Sequence, residues 1–204
     1  RNILKRNVCM DIRISKINKK LQKKLDKERY EHTLGVMYTA SALAMCHNAN
    51  IGQALLAGLL HDCAKCIPND KKIRMCRKYH LEISDVEQKN PSLLHAKLGA
   101  YLAKKKYHVE DYEVLGAIKS HTTGKPAMTL LEKIIYIADY IEPGRAELPN
   151  MAEVRRLAFT DINECLYRML EDSLVYLKSR NLPVDKMTEK TYHYYKKKLR
   201  EQEG

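Results

Sequence analysis

The sequence predicts an all-α protein, a single domain whose helices pack as a bundle. Three observations carry that expectation. Apolar residues recur at helical spacing through most of the 204 residues, and no stretch alternates convincingly with period two. Only 8 glycines and 6 prolines supply turn chemistry, too few for many short strands. With 45% apolar and 30% charged residues, the composition is globular and the chain is long enough to bury one continuous core.

Taken in order, Ile14, Ile17, Leu21 and Leu25 predict a short amphipathic helix lying on the body, with residues 1–13 loosely held. A longer helix is expected from about Glu28 to Cys46, with Leu34, Tyr38, Ala42 and Met45 inward, broken at Asn48–Asn50. Residues 51–64 are apolar on nearly every side and predict a central, buried helix. IPND at 67–70 starts another, and Pro91 opens PSLLHAKLGAYLAKKK at a position where a first helical turn tolerates proline. Asp111–His121 is helical, and TTGKPAM is a loop. Thr129 and Glu132 have the spacing of a capping box ahead of LLEKIIYIADYI, which should stop at Pro143–Gly144. Helical patterns resume through 151–180 and 187–200.

The formal charge of +12 sits on the ends of the chain. Residues 1–29 hold 11 Lys/Arg against 3 acids and residues 186–204 hold 6 against 3, while the rest carries 20 against 19. A nucleic-acid surface usually shows as a basic face of the fold, so the excess reads as solvated arms and nucleic acid is not the expected partner. No run approaches the roughly 18 apolar residues that a membrane span needs. Six cysteines without a secretory segment before them predict free thiols, a reducing compartment and a cytoplasmic location.

The buried helix ends in GLLHDCAKC, residues 58–66, where an imidazole, a carboxylate, an ammonium and two thiols stand together. Such groups need partners when they leave water. His32, His95, His121 and Asp139 each lie in a helical, largely apolar context and can join His61 and Asp62. Four imidazoles and two carboxylates without a thiolate suit iron, manganese, zinc or a similar first-row ion. Taken singly, a histidine such as His95 reads more readily as a core residue bonded to a carbonyl than as a ligand, and Asp139 can be read as a cap or ion pair; the tandem His61–Asp62 with a histidine upstream and an aspartate downstream favours the shared site. His47, His80, His108 and His193 sit by breaks or among charges and are expected to be exposed.

The order His32, His61–Asp62, Asp139 resembles the signature of the HD superfamily of metal-dependent phosphohydrolases. RYEHTLGV, AGLLHDCAK, HAKLGA, AIKSHTTGKPAM and IIYIADYIEPGR resemble, in order and spacing, the motifs of its YqeK-type family, the symmetrical bis(5′-nucleosyl)-tetraphosphatases. The resemblance covers about residues 15–200, which divides the chain into a basic tail, 1–14, and a phosphohydrolase domain, 15–204. It implies that His32, His61, Asp62 and Asp139 ligate one metal, and that Asp62 bridges to a second held by His95 and His121. It also implies two ions, iron first, with manganese or another first-row metal as the alternative. The implied reaction splits diadenosine tetraphosphate and its relatives into two nucleoside diphosphates. Another HD phosphohydrolase activity on nucleoside mono- or triphosphates, or a nucleotide-sensing module, is the alternative. The expected partner is the nucleotide, with a homodimer left open.

Two metals can lower the pKa of water to about 7 and clamp an in-line displacement. Asp62 and Lys65 are the expected catalytic pair. Lys65 lies three residues after Asp62, hence on nearly the same helix face, where its ammonium can meet a phosphate oxygen or protonate the leaving group. Thr122, Thr123 and Gly124 offer hydroxyls and backbone N–H groups to phosphate, Arg145 offers a planar fork, and Arg29 lies one turn before His32. Tyr30, Tyr136 and Tyr140 are aromatic candidates for a base, each also readable as core. Cys63 departs from the family, whose residue after His-Asp is expected to be aromatic or aliphatic. The Cys63–Cys66 pair reads as small-residue packing ahead of a redox or zinc role, because no second pair has matching spacing.

Overall fold

The computed structural model describes residues 13–146 and 148–203, with side chains described through 201. Eleven α-helices and one 3₁₀ turn make up the described residues, and no strand occurs among them. Helix α1 covers residues 13–22, so Arg13 and Ile14 belong to it. Then come α2 (Lys27–Cys46), α3 (Ile51–Leu60), α4 (Asn69–Lys78), α5 (Asp85–Lys89), the 3₁₀ turn Pro91–Leu93 and α6 (Leu94–Tyr107). The chain continues through α7 (Tyr112–Ser120), α8 (Leu130–Ile141), α9 (Met151–Thr160), α10 (Ile162–Ser179) and α11 (Lys186–Glu203). Residues 1–12, which hold most of the expected loose arm, lie outside the described residues.

Helix starts follow local chemistry. Asp26, Asn50, Asp111 and Asp161 each accept a backbone N–H of their own first turn, and Thr129 and Glu132 complete both bonds of a capping box at α8. Ile17, Leu21 and Leu25 are buried against the body, as their spacing predicts. The pattern through 151–180 resolves into two helices, because Asp161 ends α9 and caps α10.

Two expectations fail. The inward face of α2 is His32, Thr33, Val36, Met37, Ala40, Leu43 and Ala44, whereas Tyr38 is 63% and Met45 60% exposed. Helices α3 and α8 both pack on α2, and the face they cover carries Val36, Met37 and Leu43 beside Ala40 and Ala44, which leaves Tyr38 and Met45 on the outer side. Helix α3 also stops at Leu60 and not at residue 64. From there the chain tightens into successive turns, with Cys63 N–H on Leu60 O at 3.1 Å and Lys65 N–H on Asp62 O at 2.9 Å.

The core is built around α3, which α2, α7 and α8 cover, while α6 packs on α7. Leu59, Leu60, Leu98, Ile118, Ile134, Ile135 and Ile137 fill it completely. Tyr136 is buried there, and Tyr30 and Tyr140 pack against its edge. His61 and Asp62 therefore enter the tight turn from a helix whose second half is wholly buried, facing α2, α6, α7 and α8.

Candidate metal centre

Five elements deliver six side chains to one place. His32 comes from α2, His61 and Asp62 from the turn after α3, His95 from the first turn of α6, His121 from the end of α7, and Asp139 from the last turn of α8. The imidazoles are aimed by local bonds. His61 Nδ1 lies 2.7 Å from Gly58 O, His95 Nδ1 2.6 Å from Ser92 O, and His121 Nδ1 2.7 Å from Ile118 O, each three residues back. His32 Nδ1 meets Glu142 Oε1 at 3.0 Å. With Nδ1–H donating outward, every Nε2 is left as a bare acceptor facing the centre.

These acceptors crowd one another. His32 Nε2 lies 3.3 Å from His61 Nε2 and 3.0 Å from Asp139 Oδ1, with His61 Nε2 3.8 Å from the same oxygen. His95 Nε2 and His121 Nε2 are 3.0 Å apart. Asp62 stands between the two groups, Oδ2 at 3.6 Å from His61 Nε2 and Oδ1 at 3.1 Å from His95 and 3.6 Å from His121. His32, His61 and Asp139 form one set whose ligand atoms all lie within 4.8 Å, and His61, Asp62 and His121 form a second. Asp62 Oδ1 is buried with no hydrogen-bond partner. Facing lone pairs around an orphaned carboxylate oxygen repel unless a cation or protons lie among them, and nitrogen with oxygen donors suits first-row ions. The residues present fit a metal.

Electrostatics point the same way. Burial pulls the His61 pKa down to about 4 and lowers that of His95, which keeps both imidazoles neutral. Burial works against charge on Asp62 and Asp139, yet His61, His121 and His95 around the first, and His32, His61, His121 and Arg145 around the second, more than reverse it. Both carboxylates stay ionised. His121 is the exception among the imidazoles: burial lowers its pKa, but contact with Asp62 outweighs burial and raises it.

Around this cluster stand cations and one hydroxyl. Arg29 Nη1 lies 2.8 Å from Asp62 Oδ2, and Arg145 grips Asp139 through Nη2 to Oδ1 at 2.6 Å and Nε to its carbonyl at 2.8 Å. Both guanidiniums are partly exposed and keep further N–H groups available. Lys65 is no longer on a helix, but its turn carries Nζ to 3.4 Å from His95 Nε2. Thr122 Oγ1 lies 3.4 Å from His95 Nε2 and 3.3 Å from His121 Nε2. In the same loop the Thr123 hydroxyl lies 3.1 Å from Gly124 O and the Gly124 N–H donates to Ser120 O, so the Thr122 hydroxyl is the group of this loop that reaches the imidazoles.

Residues 29–144 match the HD domain family. The chain is 41% identical over 174 residues to the symmetrical bis(5′-nucleosyl)-tetraphosphatase of Bacillus subtilis, covering 85% of this chain and 92% of that one. It is 41% identical over 169 residues to the enzyme of the same name from Halalkalibacterium halodurans, at 83% and 89% coverage. This chain belongs to the HD superfamily and, within it, to the symmetrical bis(5′-nucleosyl)-tetraphosphatase family. A crystal structure from Clostridium acetobutylicum, described as a predicted HD superfamily hydrolase involved in NAD metabolism, superposes with a TM-score of 0.87 at 41% identity, over 90% of this chain and 97% of that one.

Within this HD domain, sequence reasoning passed over Glu142. It is 3% exposed, supports His32 from behind through Oε1, and accepts the Gly144 N–H at 2.6 Å through Oε2. Gly35, one turn after His32, makes room for it, since a Cβ there would collide with Oε2. The available signal was a carboxylate three residues after Asp139 paired with a glycine three after His32. His47 is half-buried and not free, with Nε2 2.7 Å from Ala158 O, while His80, His108 and His193 are exposed as expected. Cys63 is buried beside Gly99 O and burial pushes its thiol up to about 12; Cys66 is exposed, 3.2 Å from Asp26 Oδ2. All the described cysteines are free.

Proposed function

We propose that the chain hydrolyses diadenosine tetraphosphate and related dinucleoside tetraphosphates symmetrically into two nucleoside diphosphates. His32, His61, Asp62, His95, His121 and Asp139 hold two metal ions, iron first among first-row metals and manganese next. One observation carries the reading: the two oxygens of Asp62 face two different groups of bare imidazole nitrogens. The activity named for the curated relatives supplies the reaction class. When bound, ions of this kind lower the pKa of water toward neutrality and offset phosphate charge.

The protein's part is placement. Carbonyls and Glu142 lock the imidazoles, so no reorganisation is needed as the reaction proceeds. The substrate brings several negative charges, and Arg29, Arg145, Lys65 and the Thr122 hydroxyl surround the place where they must sit. Hydrolysis consumes one water, breaks the bridge between the second and third phosphates, and leaves the water oxygen on one product. Lys65 stabilises or protonates the oxygen that departs on the other. Thr123 and Gly124 shape the loop that presents Thr122.

The sequence reading sets the domain at 15–204 with 1–14 as a basic tail; Arg13 and Ile14 already lie on α1, with Ile14 packed against the core, so the catalytic unit is assigned from residue 13 onward. The nucleotide is the assigned partner and a homodimer is compatible with it; nucleic acid and membrane are not assigned roles. No described helix is long and apolar enough to cross a membrane, and the cytoplasm is the assigned compartment. Chromatography of early products from diadenosine tetraphosphate tests the reaction. ADP as the sole nucleotide product is expected, and AMP with ATP would contradict it.

A further inference from the structure

A cavity of about 270 Å³ lies against the turn after α3, with Cys63 and Cys66 in its wall and none of the six ligand candidates. Three elements each give it one lysine: Lys24 from the turn after α1, Lys71 from α4 and Lys106 from the last turn of α6. Folding thus brings two mid-chain lysines beside the basic N-terminal segment. No carboxylate lines this cavity, and among the described residues none of the three lysines forms an ion pair. A larger cavity beside Thr122 shows the contrast. There Lys97 pairs with Glu87 and Lys125 with Glu132, each at 2.7 Å, and Glu82 and Asp185 line the same walls.

Local chemistry does not account for the three cations. Lys71 stands in the first turn of α4, where the helix dipole disfavours a positive charge. At the end of α6 the carbonyls of Tyr107 and His108 accept from Arg13 Nη2 at 3.3 and 2.7 Å, so that end is served without Lys106. Asp26, which meets the Cys66 thiol at 3.2 Å, is committed as the N-cap of α2. The wall also holds a donor with nothing to donate to. Tyr107 is 6% exposed, and its hydroxyl accepts from Lys24 Nζ at 3.4 Å, while its own proton has no acceptor among the described residues. Burial pushes the Tyr107 pKa up to about 12, so the proton stays in place. A buried donor without an acceptor costs free energy, and like charges around a concavity focus positive potential. One anion that accepts from the hydroxyl and the ammoniums relieves both.

We propose that Lys24, Lys71, Lys106 and the Tyr107 hydroxyl form a binding site for a phosphate group, carried either by inorganic phosphate or by the end of a nucleotide. Three cations and one O–H from three elements match a dianion with tetrahedral oxygens better than a planar carboxylate of single charge. The volume falls just below the roughly 300–1,000 Å³ of ordinary ligand pockets, so the site takes one phosphate group and not a whole dinucleotide. It goes beyond the tetraphosphate reading and does not depend on it. Cys63 in its wall follows Asp62 directly, so the bound anion borders the turn that carries two of the ligand candidates.

The exposed Cys66 thiol in the same wall gives a local readout. Its alkylation by iodoacetamide at fixed pH is followed by peptide mass spectrometry in the metal-loaded protein, with the exposed Cys46 as internal reference. Inorganic phosphate and ADP are compared with sodium chloride and sodium acetate at the same ionic strength. Phosphate or ADP should slow modification of Cys66 saturably and leave Cys46 unchanged. In the double variant Lys71→Gln, Lys106→Gln the half-protecting concentration should rise by about tenfold or more, from the lost charge-assisted bonds. Both lysines are exposed, so helix content and metal content should stay at wild-type values. Tighter protection by ADP assigns the site to a nucleotide phosphate, and protection by inorganic phosphate alone assigns it to the free ion. No protection, equal protection by chloride or acetate, or equal slowing of Cys46 overturns the proposal. Undiminished protection in the double variant also overturns it, since that places the anion at the metal centre. AMP and ATP as products of the wild-type protein would refute symmetrical cleavage without altering this readout, which needs no turnover.

Discussion

Asp62 joins the two halves of the centre, and the side chains behind the ligands decide how firmly they are held. Glu142 is the clearest case, because it fixes both the ring orientation and the tautomer of His32. Glu142→Ala should weaken metal binding by about 10–100-fold while the helical content stays intact. Competition with a chelating dye measures this, and wild-type affinity would show that His32 needs no support. The neutral imidazoles predict a pH dependence. His61 has a pKa near 4 when folded against an ordinary 6.5, so between those values the unfolded chain binds a proton that the folded chain does not. Its contribution to stability is complete above 6.5 and is lost as pH falls toward 4; His95 acts in the same direction and His121 against it. Urea unfolding of the metal-free protein across that range should show a shallower pH slope in His61→Ala than in wild type. Equal slopes would mean that the buried imidazole is charged.

Loops and helix ends set where these side chains point. Gly124 ends the TTG loop at φ +63°, and a Cβ there would come within 2.8 Å of Thr191 Cγ2 on α11. Gly124→Ala should cost at least ~1–2 kcal/mol from the left-handed backbone alone and loosen Thr122 and His121 beside it. Denaturant unfolding with metal analysis checks both effects, and an unchanged midpoint would contradict the role given to this loop. Such features were unevenly legible. The capping box at Thr129 and the proline at 91 announce their helices because the signal is local. The buried face of α2 is not legible in the same way, since apolar residues lie on two adjacent faces and only the partners α3 and α8 choose between them. The end of α3 at Leu60 was hidden for a similar reason: Ala64 continues the apolar run although the backbone has already tightened.

Across the whole molecule, the six ligand candidates were readable because each is a polar residue in an apolar helical setting, and their order matched a known pattern. Their supports were not, because Glu142, Gly35 and the carbonyls of Gly58, Ser92 and Ile118 acquire meaning only once five elements meet. The bundle itself follows from α3, whose burial obliges its neighbours to close around the His61–Asp62 turn. The positive charge concentrated toward the chain ends leaves this centre to be balanced by its own residues and by substrate.

Elemental analysis of the protein purified without oxygen, alongside His95→Ala, tests most directly whether these side chains form one centre for two ions. Two metals per wild-type chain, and about one in the variant with weak residual hydrolysis, is the predicted result. A single metal in the wild-type protein, or the same stoichiometry in both, would contradict it.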